Sequence, residues 1–165
     1  FIRHRRGEPR FYIDTVVHAV DTLRFIVGEV ESLTITSRKM AQVRWAIIQL
    51  SFASGVLATL EVHPDSGHLV EAYELFGQGH HVRATARGVG AGDAIAWEGD
   101  RLVWSKSPPS DTPRFVVNGT YDETVAFISS LKGERPFGPA PVEVLRSVKI
   151  SHEIDAIIES EVMDS

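Results

Sequence analysis

Three polar side chains recur at helical spacing near the start of the chain. Asp14, His18 and Asp21 stand at positions i, i+4 and i+7, which at about 100° per residue places them on one face of a helix. A carboxylate one turn from an imidazole can hydrogen-bond one ring nitrogen and fix the tautomer, which leaves the other nitrogen free toward a ligand. The pattern therefore indicates acid/base chemistry at His18, with a neighbouring carboxylate as its support.

The same spacing also fits an ordinary surface helix. In that interpretation Asp14 caps the helix, His18 is a surface residue and Asp21 pairs with Arg24 at i+3. The spacing alone leaves both interpretations open.

The elements that must position these residues follow from the apolar pattern. A helix is predicted from Asp14 to Val27, ended by Gly28. Strand patterns follow at 33–36, 43–52, 56–62, 69–76, 81–86, 94–98 and 102–105. Two helices close the chain, at 122–132 and 141–159. The last has a predicted apolar stripe of Val144, Val148, Ile154 and Ile158.

Strands grouped between helices indicate an α+β fold, with an open, mostly antiparallel sheet of six to seven strands. We expect helices to cover one face of the sheet. The segment 43–52 is too apolar for a freely solvated face, so the other face is predicted to pair subunits in a homo-oligomer. A length of 165 residues fits a single domain over 1–165.

Composition excludes several classes of function. With 17 Lys and Arg against 22 Asp and Glu, the net charge of −5 argues against nucleic acid as a partner. The chain has no cysteine, which excludes disulfides, thiolate metal sites and a cysteine nucleophile, and fits a cytoplasmic location. The apolar stretch 45–62 is interrupted by Gln49, Ser51, Ser54 and Gly55, so no membrane span is expected.

Other possible ligand sites are weaker. Four histidines lie near predicted turns: His63, His68, His80 and His81. Their spacing is not that of a standard metal site, so no metal is predicted. The glycine-rich segment 88–92 precedes a strand and not a helix, so it is interpreted as a hairpin connection and not as a dinucleotide-binding turn.

The pattern Asp14-x-x-x-His18-x-x-Asp21, followed by Arg24 and Gly28, resembles the start of the C-terminal domain of the Gfo/Idh/MocA family of NAD(P)-dependent oxidoreductases. Four further segments resemble that domain in order and spacing: Leu50 to Ala58, Glu74 to Gly77, Tyr121 to Pro136 and Val142 to Ile158. The resemblance therefore covers nearly the whole chain.

The resemblance implies a substrate-binding and dimerisation domain of a dehydrogenase acting on a sugar, cyclitol or related polyol. Asp14 and His18 would line the substrate pocket, with His18 as the acid/base, Asp14 orienting it or holding a substrate hydroxyl, and Asp21 in support. NAD or NADP would be bound mainly by an N-terminal Rossmann domain absent from this chain.

This sequence departs from the family pattern at two places. Val16 replaces a frequent glycine, and Arg10 to Ile13 stand where a Gly-Gly pair is common. These departures favour an alternative, a non-catalytic binding or dimerisation module that retains the fold without the chemistry.

Overall fold

The computed structural model describes residues 10–41, 43–65, 67, 70–87, 90–136 and 138–163. Outside the described residues lie Ser66, His68, the first residue of the strand predicted at 69–76, and residues 88–89 of the hairpin connection predicted at 88–92. The chain divides into two compact units. One unit combines residues up to position 68 with those from 139 onward, and the other spans 69–138.

The first unit begins with a π-helical turn, Tyr12–Val16, that continues directly into helix α1, Val17–Val27. Three strands follow: β1 (Val30–Met40), β2 (Val43–Phe52) and β3 (Leu57–Val62). They form an antiparallel sheet in the order β1-β2-β3. The long helix at the end of the chain, Pro141–Met163, belongs to the same unit.

The second unit is an antiparallel four-stranded sheet with two helices. Its strands are β4 (Val70–Gly77), β5 (His80–Arg87), β6 (Gly90–Glu98) and β7 (Arg101–Lys106), paired in sequence order. Helices α2 (Arg114–Val117) and α3 (Thr120–Leu131) follow. The terminal helix of the first unit is therefore α4.

The core of the first unit lies between its sheet and its helices. Alternate residues of β2 are buried, because successive side chains of a strand point to opposite faces. The buried apolar residues are Phe11, Tyr12, Val16, Ala19, Val20, Ala46, Ile48, Leu50, Phe52, Leu60, Val62, Ile154 and Ile158. The opposite face of the sheet is open, with Ile47 and Leu57 exposed.

The structure confirms the α+β class and the antiparallel pairing of seven strands. The strands form sheets of three and four rather than one sheet, and helices cover one face of the three-stranded sheet. The first helical segment begins before the predicted Asp14, and α2 was not predicted. Gly28 ends α1 with a φ of 110°, and its N–H donates to the Arg24 carbonyl.

The apolar stripe predicted for α4 is partly wrong. Ile154 and Ile158 are buried as expected, whereas Val144 is exposed. Two serines, Ser147 and Ser151, occupy the buried positions instead. Among the described residues, no helix is both long and apolar enough to span a membrane.

Candidate functional site

Asp14 and His18 lie on the outward face where the π turn meets α1. Both side chains are exposed, whereas Val16 and Val20 on the opposite face are fully buried. A π turn closes over five residues rather than four and so holds more residues per turn. Turns of this kind are frequent at functional sites.

The structure does not bring the three predicted residues into one hydrogen-bonded cluster. Within the described chain, no hydrogen bond joins Asp14 to His18. The Asp14 N–H donates to the Arg10 carbonyl at 2.8 Å, so Asp14 lies inside a helical turn and does not cap it. The helix-cap interpretation of Asp14 is therefore wrong.

Asp21 contacts α4 instead of supporting His18 directly. The Ser147 hydroxyl donates to Asp21 Oδ1 at 2.6 Å and accepts a hydrogen bond from Arg24 Nη1 at 2.7 Å. Asp21 and Arg24, which were expected to pair directly, are thus joined through the fully buried Ser147 hydroxyl. The hydrogen bond to Asp21 therefore connects α1 to α4.

Arg24 is the centre of a network that joins three elements. Its buried guanidinium donates to the Glu143 carbonyl at 2.9 Å and forms two bonds with the Glu29 carboxylate, at 2.7 and 3.4 Å. Arg146 adds a 3.0 Å ion pair to Glu29. The hydrogen bond from Arg24 is the main cause that holds the pKa of Glu29 below its usual value. The network fixes the end of α1 against β1 and α4.

The start of the π turn packs against a different part of α4. Tyr12 is buried, and its hydroxyl donates to the Arg44 carbonyl at 2.7 Å. Burial raises the pKa of the Tyr12 phenol, an effect that Arg44 opposes and that the Asp155 carboxylate reinforces. Asp155 therefore lies close to the turn that carries Asp14.

Sequence reasoning named Arg24 only as the direct partner of Asp21, and it missed Ser147 and Asp155 as parts of this region. A signal for Arg24 was present, because it follows Val20 by four residues and so falls on the buried face of α1. Ser147 and Ser151 likewise stand four residues apart, in line with Asp155. Polar residues inside an otherwise buried row indicate a specific partner, but not which one.

The remaining histidines do not form a metal site among the described residues. His63 stacks on Trp45 at 4.3 Å between ring centroids, and the Trp45 indole donates to Asp65 at 2.6 Å. His81 stacks between two aromatic rings, Phe76 at 4.4 Å and Trp97 at 4.8 Å. His80 is exposed at the start of β5, so it and His81 are strand residues and not turn residues.

A shallow cavity of about 270 Å³ lies on the open face of the three-stranded sheet. All of its lining residues come from β1, β2 and β3, including Thr34, Gln49 and Thr59. Asp14 and His18 are not among them, although the family resemblance implies that they line the substrate pocket.

Comparisons with known proteins bear on the fold. No family model and no curated protein sequence matches the chain. A dehydrogenase from Chromobacterium violaceum is similar in structure, with a TM-score of 0.76 and 13% identity over 99% of this chain and 54% of that one. Levoglucosan dehydrogenase in complex with NADH is also similar, with a TM-score of 0.70 and 14% identity over 99% of this chain and 55% of that one.

A third similar structure is biliverdin reductase from Synechocystis, in complex with biliverdin and NADP⁺. Its TM-score is 0.65 with 11% identity, over 91% of this chain and 50% of that one. At such identities the likeness shows the fold alone. The chain spans about half the length of these oxidoreductases and shares the fold of the part that it covers.

Proposed function

We propose that this chain is the C-terminal substrate-binding and dimerisation domain of an NAD(P)-dependent oxidoreductase of the Gfo/Idh/MocA type, acting on a sugar, cyclitol or related polyol. The observation that carries the proposal is the exposed Asp14–His18 pair on one helix face, in a chain whose fold matches about half of several dehydrogenases. The single domain over residues 1–165 and the cytoplasmic location stay predictions.

The chain's own residues would handle the substrate hydroxyl. His18 takes the hydroxyl proton through a ring nitrogen, and Asp14 accepts a hydrogen bond from a substrate hydroxyl. Because Asp14 is not hydrogen-bonded to His18, the hydroxyl-binding role is favoured over the role of orienting the imidazole. NAD(P)⁺, when bound, supplies the hydride acceptor; its main binding residues would lie outside this chain.

The test is turnover by the full-length protein. We would supply NAD⁺ and NADP⁺ with a panel of polyols and sugars that includes levoglucosan, and compare wild type with His18→Ala and with His80→Ala, an exposed histidine at the start of β5. We expect His18→Ala to lower kcat/KM by about 10²- to 10⁴-fold. The His80→Ala control should stay within a few-fold of wild type. Equal rates for wild type and His18→Ala would refute the acid/base role.

A second candidate is a non-catalytic binding or dimerisation module. The cavity on the open sheet face favours it, because that cavity lies among strand residues and not beside His18. A full-length protein that binds a polyol but oxidises none of the panel would support this candidate.

Dimerisation would use the open sheet face. Leu57 is 78% exposed there and Ile47 is 47% exposed, and apolar side chains on a sheet face are a common basis for pairing subunits. The molar mass in solution, measured by light scattering, tests this part of the proposal. A monomer at all concentrations would contradict it.

A further inference from the structure

The cavity on the open face of the three-stranded sheet is lined by two rows of side chains that cross all three strands. The first row is Ser32, Ser51 and Leu57, and the second is Thr34, Gln49 and Thr59. Neighbouring strands lie about 4.8 Å apart, and alternate residues of one strand lie roughly 7 Å apart. The six side chains therefore form a regular grid on one face.

The hydrophobic core of the first unit holds this grid in place. Leu33, Leu50 and Ala58 also line the cavity, but each is an immediate neighbour of grid residues along its strand, so its side chain points to the opposite face. Leu50 is part of the buried core, and Leu33 and Ala58 pack against that core. The floor of the cavity is thus backbone that the core fixes from below.

The protein itself uses little of the hydrogen-bonding capacity of the grid. The Thr34 hydroxyl donates to Gln49 Oε1 at 3.3 Å, which leaves the Gln49 amide nitrogen with two donors. Within the part of the chain that the structure describes, the hydroxyls of Ser32, Ser51 and Thr59 make no hydrogen bond to another protein group. Each hydroxyl can both donate and accept, so the grid offers several donors and acceptors to a ligand.

The described residues that line the cavity carry no charge, although 24% of the chain is charged. A phosphate or carboxylate ligand would call for a cationic partner, and a divalent metal ion would call for carboxylate or imidazole ligands. Leu57, whose side chain is 78% exposed, adds one apolar surface beside the polar groups. The lining therefore matches an uncharged ligand that has both hydroxyl groups and C–H surface.

We propose that this cavity binds an uncharged polyhydroxylated ring, a sugar or a cyclitol. The ligand hydroxyls exchange hydrogen bonds with the serine and threonine hydroxyls and accept from the Gln49 amide, while the C–H face of the ring packs against Leu57. Asp14 and His18 do not line this cavity. The inference therefore goes beyond the proposed function and does not depend on catalysis at His18.

The binding site shares Leu57 with the sheet face through which we propose dimerisation. A bound sugar and a second copy of the chain therefore compete for the same surface. A ligand that binds only the monomer shifts the equilibrium toward the monomer by mass action. This competition, unlike the binding itself, rests on the dimerisation part of the proposed function.

Binding is tested by titrating methyl β-D-glucopyranoside into the full-length protein and following the backbone amide resonances by NMR. We expect the amides of Gln49 and Thr59 to shift and saturate with a Kd of roughly 1–10 mM, because the site is open and each hydrogen bond replaces one to water. Gln49→Ala and Thr59→Val should each weaken binding by roughly three- to tenfold. Both positions are exposed, and urea denaturation checks that the variants fold.

Thr36→Val is the matched control, because Thr36 is an exposed hydroxyl on the same face of β1 but does not line the cavity. It should leave the Kd unchanged. Resonances of Gln49 and Thr59 that do not saturate with the glucoside overturn the proposal. Tighter binding of glucose 6-phosphate than of the glucoside overturns the assignment to an uncharged ligand.

The remaining outcomes separate this site from the proposed function. His18→Ala should abolish most of the turnover yet keep the shifts at Gln49 and Thr59, whereas their loss in His18→Ala would place the sugar at the helix and overturn the sheet site. Light scattering tests the competition. A dimer that a saturating concentration of the glucoside does not dissociate overturns the competition, while the NMR titration still decides the binding site.

Discussion

Replacement of Arg24 by Met tests whether the network between α1, β1 and α4 stabilises the first unit. The Arg24 side chain is only 6% exposed, whereas that of its partner Glu29 is 49% exposed. Methionine retains most of the apolar stem and removes every guanidinium hydrogen bond. The substitution therefore isolates the polar contribution of Arg24 from its packing.

The expected loss of stability follows from the hydrogen-bonding groups that lose the Arg24 guanidinium as their partner. The Glu143 carbonyl and the Ser147 hydroxyl each lose a donor at 2.9 and 2.7 Å, which costs about 1 kcal/mol each. The Glu29 carboxylate regains water because it is half-exposed, so its lost pair costs only about 0.5–1 kcal/mol. We expect the free energy of unfolding to fall by about 2–3 kcal/mol, a large part of the stability of an ordinary domain.

The assay is urea denaturation of the full-length protein, followed by far-ultraviolet circular dichroism. Arg101→Met is a matched control, because Arg101 pairs with Glu98 at 2.8 Å but its side chain is 75% exposed. That substitution should change stability by less than about 0.5 kcal/mol. If Arg24→Met costs no more than Arg101→Met, the buried network is not a source of stability and the reasoning fails.

Two further predictions concern pH and strand packing. Because Arg24 lowers the pKa of Glu29, the contribution of this ion pair to the free energy of unfolding is fully present above the ordinary pKa of 4.5 and is lost as the pH falls through the folded-state pKa. The difference in unfolding free energy between wild type and Arg24→Met should therefore shrink when the urea titrations are repeated at acid pH. A Cβ on Gly92 would lie 2.6 Å from the Thr85 carbonyl oxygen, so Gly92→Ala should lower the free energy of unfolding by about 1–3 kcal/mol. Gly77 has open space around it, so Gly77→Ala is the control and should be nearly neutral in the same urea titration.

The sequence alone was enough to predict those elements that form because of the pattern of residues within a single segment. The buried side of α1 follows from Val16 and Val20 at helical spacing, and β2 follows from the β-branched and aromatic residues of the segment 43–52. Gly28 ends α1 because few other residues adopt its positive φ. Asp14 and His18 share the outward face for the same periodic reason, so the sequence alone was enough to predict this part of the candidate site.

Partners far apart in the chain required the tertiary structure. Asp21 and Ser147 are 126 residues apart, and Arg24 and the Glu143 carbonyl are 119 apart. Periodicity indicates which face of a helix is buried, but it carries no information about which other helix packs there or in what register. The packing of α4 against α1 therefore decided that Asp21 and Arg24 meet at the Ser147 hydroxyl of α4.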